Sequence, residues 1–392
     1  MTVLHRASPP PPGTSPDRPR VTRLRLAAFA RHRGTTVPLG PFTAVSGPSG
    51  SGKTSMLRAF AALAGLGGGA HLADVFPDPR AYVPERARPD AERRRGFHIG
   101  CTVEGPVGPV RLDLAVQAEP ELRVVGERLT GPDITYLETA LRDPGRRDVQ
   151  AAWYTAGSVP VTRGPLPDDL LGTAMLPLRV AGRTEGQRKV LAAAEQVVVG
   201  LRSTFSCDPD PARMRAPSSA PTSAAADRLH GGCGNLAAVL RRTGAECGNR
   251  HALLVAAARA GLVGPVADVR AETAPDGSVR AVVDRGGGVI SPVERLGDGE
   301  LRYLALALVL LTGPRVLAVD AAAEVPEAYQ SLTVLADGFD RGLDRAQCAE
   351  LTALAARMCA RGHIRLVAAV GEGSEAERGA RAEGAAMVDL GR

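Results

Sequence analysis

Gly47-Pro-Ser-Gly-Ser-Gly-Lys53-Thr54 is the stretch that decides the fold of this chain. It fits the pattern G-x-x-x-x-G-K-[ST], the P-loop, in which successive backbone N–H groups surround the phosphates of a nucleotide. The lysine of the pattern reaches the β- and γ-phosphates, and the hydroxyl of the last residue binds Mg²⁺. We therefore expect ATP to be bound by Gly47, Pro48, Ser49, Gly50, Ser51, Gly52, Lys53, Thr54 and Ser55.

The residues on either side of this stretch have the character that the motif requires. Phe42–Ser46 predicts a short buried strand, and Ser55–Leu63 predicts an amphipathic helix, so a helix N-terminus follows the glycine-rich turn as an anion site. The alternative is a glycine-rich turn that meets the pattern by chance. Composition argues against it, because Lys53 and Lys189 are the only lysines among 48 basic residues. A lysine is retained where its compact ammonium group matters.

Composition bounds the class of protein. The 392 residues can bury a full core and suggest two or three domains. The net charge of +6 comes almost wholly from arginine in an Ala-, Gly- and Pro-rich chain, which indicates coding bias more than a nucleic-acid partner. Aromatic residues make up 3%, too few for a platform that stacks single strands. The six cysteines have no metal-binding spacing. Without a membrane-length apolar run or a signal layout, we expect a cytoplasmic protein with no membrane partner.

The first third of the chain is rich in strand patterns. Residues 1–20 hold a proline run and predict a disordered tail. Val21–Leu26 alternates apolar and basic residues, as in a strand with one buried face. Three more strands are predicted at Phe97–Val103, Val110–Val116 and Leu122–Leu129, separated by Gly/Pro turns.

The middle of the chain mixes loops, helices and one hairpin. Amphipathic helices are predicted at Glu185–Leu201, Asn235–Arg242 and Arg250–Leu262. Val266–Arg285 has a hairpin pattern with its turn at residues 275–277. Farther along the chain, a helical stretch is predicted at Pro326–Leu343 and a helix at Arg345–Ala360. No heptad repeat is long enough for a coiled-coil arm.

A second glycine-containing segment lies far along the chain. Leu296-Gly-Asp-Gly-Glu300 precedes the apolar helix pattern Leu301–Leu311, and the run Val316-Leu-Ala-Val-Asp320 follows. Each feature alone is weak, since glycine turns and buried strands ending in Asp are common. In this order behind a P-loop they resemble the ABC-type ATPases of the RecF/SMC class, whose L-S-G-G-Q/E signature at a helix N-terminus precedes a buried strand ending in Asp. The resemblance covers roughly residues 21–64 and 290–372, and Leu24, Leu26 and Phe29 match its opening L-x-L-x-x-F strand.

The resemblance implies an α/β fold, a P-loop NTPase of the ABC-ATPase type. It has a mostly parallel core sheet, an antiparallel lobe and an inserted α+β lid. The corresponding parts are residues 1–20 (tail), 21–130 (P-loop lobe), 131–289 (lid) and 290–392 (second half of the core). The interval from Lys53 to Gly297 is too long for a transporter subunit and too short for SMC arms. It looks like that of compact RecF-like or OLD-like bacterial ATPases.

The resemblance also implies a site shared between two subunits. Gly297, Asp298 and Gly299 would face the γ-phosphate bound by the other subunit of a homodimer, where backbone N–H groups and the helix dipole favour an anion. Asp320 would hold Mg²⁺ through water, together with Thr54. The expected cofactors are ATP and Mg²⁺.

Several residues that the family carries are missing. Gly297 replaces the usual Ser of the signature, and Ala321 replaces the Glu that polarises the attacking water. Glu324 is therefore the candidate catalytic acid beside Lys53 and Asp320, with Glu327 as its alternative. The last core strand, Ile364–Val370, ends in Gly371-Glu372 where a switch His is expected, and His363 stands at its opposite end. The candidate for the Mg²⁺-contacting Gln loop is Gln117. These departures predict slow hydrolysis with nucleotide binding retained.

Two functions from different classes fit these observations. The first is an ATP-driven dimerising ATPase in DNA maintenance or defence, in which Arg93–Arg95, Arg146-Arg147 and Arg241-Arg242 contact phosphates or are solvated surface. The second is a nucleotide-gated scaffold with little ATPase activity that signals to a protein partner. A transporter subunit is a distant third.

Overall fold

The computed structural model describes residues 18–156, 161–218, 228–319, 326 and 330–391. The strands are β1 (Arg20–Phe29), β2 (His32–Pro38), β3 (Phe42–Ser46), β4 (Arg95–Glu104), β5 (Val110–Glu119), β6 (Arg123–Thr130), β7 (Thr135–Ala140), β8 (Asp148–Tyr154), β9 (Val161–Pro167), β10 (Thr204–Cys207), β11 (Asp268–Thr273), β12 (Val279–Asp284), β13 (Ile290–Pro292), β14 (Leu332–Ala336), β15 (Ile364–Ala369) and β16 (Ala386–Asp389). The helices are α1 (Lys53–Gly67), α2 (Leu72–Val75), α3 (Gly172–Arg179), α4 (Glu185–Arg202), α5 (Pro211–Arg215), α6 (Leu236–Glu246), α7 (Gly248–Gly261), α8 (Asp298–Leu311), α9 (Arg345–Ala360) and α10 (Glu375–Ala382), with 3₁₀ turns at Pro79–Tyr82 and Val293–Arg295.

The larger sheet is antiparallel and has eight strands, in the order β2-β1-β4-β5-β6-β7-β8-β9. Its strands alternate buried and exposed residues, as expected when one face of a sheet packs on a core. Helices α1 and α4 cover the apolar face, and their side chains join those of the sheet in one hydrophobic cluster.

The smaller sheet carries the P-loop strand. Its five strands are parallel, in the order β10-β14-β15-β3-β16. Strands β3, β14 and β15 are buried at every position, the pattern of a parallel sheet covered on both faces. Val367 and Ala369 face the cluster that contains α1, whereas Leu366 and Ala368 face a second cluster around α8 and α9.

A small α+β layer completes the second cluster. Strands β11, β12 and β13 form an antiparallel sheet against α6, and α7 and α9 pack on α8. Helix α8 is buried along its length from Leu301 to Leu311, which explains its nearly continuous apolar sequence.

One buried arginine ties the two large sheets together. Arg365 of β15 donates hydrogen bonds to the backbone carbonyls of Val21, in β1, and Leu39, the residue after β2. Burial lowers the pKa of its guanidinium to about 10. A buried charge of this kind costs free energy unless it is hydrogen-bonded, so these carbonyls fix the relative position of the two sheets.

Most of the predicted elements are confirmed. Strands β1, β4, β5 and β6 lie where the alternating patterns predicted them, as do α4, α6, α7, α8, α9, β15 and the β11–β12 hairpin. The fold is α/β, but parallel pairing is confined to the five-stranded sheet, so "mostly parallel" does not describe the whole core.

Two predictions in the last third of the chain are wrong. Val316–Val319 forms no strand of the core sheet and makes only an isolated bridge from Leu317 to Leu229. Within the predicted helical stretch Pro326–Leu343, the structure instead has β14, an interior strand of the parallel sheet. Periodicity cannot separate strand from helix in apolar runs this short, and neighbouring strands decide the outcome.

The predicted boundary at residue 131 does not coincide with a structural break. Strands β7, β8 and β9 continue the antiparallel sheet beyond β6, and β10 pairs with β14 in the parallel sheet. Strands from residues 131–289 therefore belong to both large sheets. They pair with β6 in the antiparallel sheet and with β14 in the parallel sheet. Residues 1–17 of the predicted tail lie outside the described residues.

None of the helices in the described part of the chain is long and apolar enough to cross a membrane.

Candidate nucleotide site

The P-loop joins the end of β3 to the start of α1, so the helix N-terminus points at the glycine-rich turn. Gly52 requires glycine for two reasons. Its φ is 101°, and a Cβ would lie 2.5 Å from Nε2 of His32. The backbone therefore adopts a tight turn that only this residue type allows.

A cavity of about 470 Å³ opens over this turn. Its lining comes from the P-loop, from the residues after β14 and from the end of β15. The lining residues are Arg31, Ser49, Gly50, Ser51, Gly52, Lys53, Thr54, Ser55, Asp337, Gly338, Asp340, Arg341, Ala369, Val370 and Gly371. Of the sequence-predicted ATP ligands, the structure thus places Ser49 to Ser55 around one cavity.

The lysine and serine of the loop have geometry that suits an anion. Nζ of Lys53 donates to the carbonyl oxygens of Gly47 at 2.6 Å and Pro48 at 3.2 Å. Oγ of Ser51 is buried and has no hydrogen-bond partner among the described residues. A phosphate in the cavity would supply an acceptor to both groups, so the residues present fit a nucleotide.

The carboxylate that meets the P-loop is Asp337. It follows β14 directly, and its Oδ1 accepts a hydrogen bond from Oγ1 of Thr54 at 3.1 Å. A hydroxyl and a carboxylate side by side are the hard oxygen ligands that Mg²⁺ takes alongside phosphate oxygens and waters. The described residues hold no group of three or more His, Cys, Asp or Glu that could bind a metal ion by itself.

The sequence-based prediction gave this carboxylate role to Asp320. Asp320, Ala321, Glu324 and Glu327 lie outside the described residues. The sequence carried a signal for Asp337, because Leu332–Ala336 is a second apolar run that ends in Asp. Both runs looked alike, and only pairing with β10 and β15 distinguishes the core strand.

A second carboxylate, Asp340, fixes the far wall of the cavity. Its Oδ2 accepts a hydrogen bond from the backbone N–H of Gly371 at 2.9 Å. Gly371 stands where the resemblance places a switch His, so the backbone lines the cavity there with no side chain. His363 lies at the other end of β15.

Arg31 of the β1–β2 turn and His32, the first residue of β2, also contact the P-loop, and sequence reasoning missed both. Nε2 of His32 donates to the carbonyl of Gly52 at 3.0 Å. Burial, and then the nearby Arg31, lower the pKa of His32, so its imidazole is neutral at pH 7. A Cβ on Gly50 would lie 3.2 Å from Nη1 of Arg31, which places that guanidinium against the loop.

The predicted signature residues lie at a different surface of the same chain. Gly297 caps α8, and its N–H donates to Glu300 at 3.0 Å. Asp298 forms an ion pair with Arg215 at 2.6 Å. Gly299 packs so closely on the loop after β14 that a Cβ would lie 2.2 Å from the carbonyl oxygen of Gly342. Gly297, Asp298 and Gly299 are not among the described residues that line the P-loop cavity.

Helix α8 nevertheless contacts the backbone that lines the P-loop cavity. The buried Arg302 donates from Nη2 to the backbone carbonyls of Asp337 at 3.3 Å and Gly338 at 2.9 Å, and to the Asp208 carboxylate at 3.1 Å. The helix that begins at the predicted signature is therefore hydrogen-bonded to the backbone that carries Asp337.

The other candidates lie away from this cavity. Gln117 is in β5, where its amide donates to the carbonyl of Glu121, and it lines a cavity on the antiparallel sheet. The arginine clusters form ion pairs with nearby carboxylates. These pairs are Arg94 with Asp90 and Glu92, Arg95 with Glu119, Arg146 with Asp148, Arg147 with Glu121 and Asp168, and Arg242 with Glu246.

No protein-family model matches the chain, and no curated protein matches it. Among solved structures, it is similar to an SMC head bound to the C-terminal winged-helix domain of ScpA, with 12% identity, 90% of each chain covered and a TM-score of 0.46. It is also similar to the SMC head domain from Thermotoga maritima (10%, 92% of each chain, TM-score 0.42). A third is an SMC head with an extended coiled coil bound to the C-terminal domain of ScpA, derived from Pyrococcus furiosus (12%, 90% of each chain, TM-score 0.39). With TM-scores below 0.5, these likenesses carry no argument about the activity of this chain.

Proposed function

We propose that this chain binds ATP with Mg²⁺ and hydrolyses it slowly, or only when a partner completes its site. The observation that carries the proposal is one cavity lined by the P-loop, Lys53 and the Thr54–Asp337 pair. If the glycine-rich turn matched the P-loop pattern only by chance, we would not expect the carboxylate of Asp337, at a strand end, to lie 3.1 Å from the Thr54 hydroxyl.

Each residue has a defined part in this proposal. Lys53 exchanges its two backbone carbonyl contacts for phosphate oxygens, and the N–H groups of the P-loop orient the phosphate chain. Thr54 and Asp337 hold Mg²⁺, the role first expected of Asp320. The ion neutralises charge on the phosphate oxygens when it is bound.

Slow hydrolysis follows from the residue after Asp337. In the class that the sequence resembles, a Glu in that place polarises the attacking water, and here the residue is Gly338. Asp340 is the other carboxylate of the lining, and its Oδ2 accepts the N–H of Gly371. With Gly338 in place of that Glu, phosphoryl transfer loses part of its positioning and becomes slower.

A homodimer remains part of the proposal. Gly297–Gly299 lie at the N-terminus of α8, outside the P-loop cavity of their own chain, as expected if they face ATP bound by a second copy. A role in DNA maintenance or defence is the biological context that the RecF-like and OLD-like resemblance suggests. The competing function is a nucleotide-gated scaffold that signals to a protein partner, and Gly338 favours it.

The test is to measure ATP binding and phosphate release by the purified chain, with and without duplex DNA. Lys53→Ala removes the proposed phosphate ligand. Lys189→Ala is its matched control, because Lys189 is the only other lysine and forms an exposed ion pair with Glu185 at 2.8 Å.

The outcomes separate the alternatives. Lys53-dependent phosphate release that DNA stimulates supports a DNA-linked ATPase. Tight, Lys53-dependent binding with no release supports the scaffold. Equal binding by wild type and Lys53→Ala would show that the cavity is not a nucleotide site.

A further inference from the structure

The structure has an arginine where the missing glutamate side chain would begin. Gly338 has a φ of 57°, a conformation that favours glycine. A Cβ on this residue would lie 2.9 Å from both Nε and Nη2 of Arg341, and 3.0 Å from its Cζ. The guanidinium of Arg341 thus fills the space beside Gly338.

The position of Arg341 gives it access to a ligand in the P-loop cavity. It lines that cavity with Arg31 and Lys53, and its side chain is 59% exposed. Its ion-pair partner is Asp208, at a long 3.4 Å, and the same Oδ1 accepts a shorter hydrogen bond from Arg302 at 3.1 Å. An exposed pair of this length contributes little stability. Arg341 can therefore exchange Asp208 for a stronger anion at little cost.

We propose that Arg341 binds the terminal phosphate of ATP held by the same chain and makes the site prefer ATP to ADP. This inference rests on the proposed nucleotide site. Arg341 lines the cavity beside Gly338, next to the end at which Thr54 and Asp337 are hydrogen-bonded. Mg²⁺ held by Thr54 and Asp337 would neutralise charge on the phosphates at this end, so a guanidinium beside it would meet the terminal phosphate first.

The chemistry of the guanidinium explains retention of the triphosphate. Arginine offers planar N–H donors that bind two phosphate oxygens at once, but it has no acceptor atom. It can hold a γ-phosphate, yet it cannot accept a hydrogen bond from an attacking water as a glutamate does. A donor at this position therefore favours a long-lived ATP-bound state.

The test compares affinities for Mg²⁺ complexes of β,γ-imido-ATP and of ADP by calorimetric or fluorescence titration. Wild type should bind the triphosphate more tightly. Arg341→Ala should reduce that preference about tenfold, the loss of one charge-assisted hydrogen bond, and leave the affinity for ADP unchanged. Arg341→Lys, which keeps the charge, should retain part of the preference.

Arg128→Ala is the matched control. Its side chain is 57% exposed and makes one long contact, to Glu138 at 3.9 Å, on the antiparallel sheet. It should leave both affinities unchanged. Equal losses for both nucleotides in Arg341→Ala, or no loss, would overturn the assignment while the nucleotide site itself stands. Failure of wild type to bind either nucleotide would overturn both proposals.

Discussion

Asp337→Asn tests which carboxylate serves the magnesium site. An asparagine oxygen can still accept the hydrogen bond from Oγ1 of Thr54 at 3.1 Å, so the variant removes charge while keeping shape. Arg302 contacts the backbone carbonyl of Asp337, which the substitution leaves in place. We therefore expect a folded protein with weaker Mg²⁺-dependent nucleotide binding.

The size of the effect follows from this geometry. A hydrogen bond to a charged group contributes about 1.5–3 kcal/mol, against about 0.5–1.5 kcal/mol for a neutral pair. Applied to one water-mediated contact between Mg²⁺ and the half-buried Asp337, the difference is about 1.4 kcal/mol, or about tenfold in affinity. Residues that support metal ligands typically change metal affinity by about 10–100-fold, which includes this value.

The assay is a titration of Mg²⁺ into the protein mixed with a fluorescent, non-hydrolysable ATP analogue. Asp337→Asn should need about ten times more Mg²⁺ for the same binding. Asp320→Asn should behave as wild type, and binding measured in a chelator should be the same in all three proteins. If Asp320→Asn shows the loss and Asp337→Asn does not, the assignment of Asp337 is refuted.

Two further predictions concern the stability of the folded chain. Arg123 and Asp168 form an ion pair in which the side chains are 3% and 1% exposed, so replacing either by Ala should lower the free energy of unfolding in urea by about 3–5 kcal/mol. A loss below about 1 kcal/mol would contradict this, and the double replacement should cost less than the two single losses together. The pKa of His32 is lower in the folded chain than its ordinary value of 6.5. The contribution of the neutral imidazole to stability is therefore fully present above pH 6.5, and stability falls as the pH drops below that value. His32→Gln should flatten this part of the pH dependence in denaturation midpoints measured between about pH 5.5 and 7.5, and an unchanged slope would contradict the prediction.

Local patterns predicted the parts of this protein that depend on contiguous residues. The P-loop, its strand and its helix needed only residues 42–63, because the loop's backbone conformation and the adjoining helix N-terminus are local properties. The apolar helix α8 was also predicted from contiguous residues, since it is buried from Leu301 to Leu311 and its sequence there is nearly all apolar.

Sheet edges were less predictable. The extension of the antiparallel sheet through β7, β8 and β9 depends on pairing with strands that are already in place. Such pairing is a tertiary property that strand propensity reports poorly.

Only the tertiary structure decided which distant residues join the P-loop. Val316–Val319 and Leu332–Ala336 are both short apolar runs followed by Asp, and the second became a strand of the parallel sheet because β10 and β15 lie on either side of it. In the same way, Arg31 and Arg341 could not be told apart from the chain's many other arginines. Arg31 precedes Gly47 by 16 residues and Arg341 follows Thr54 by 287 residues, so only the folding of the chain brings their charges to one cavity.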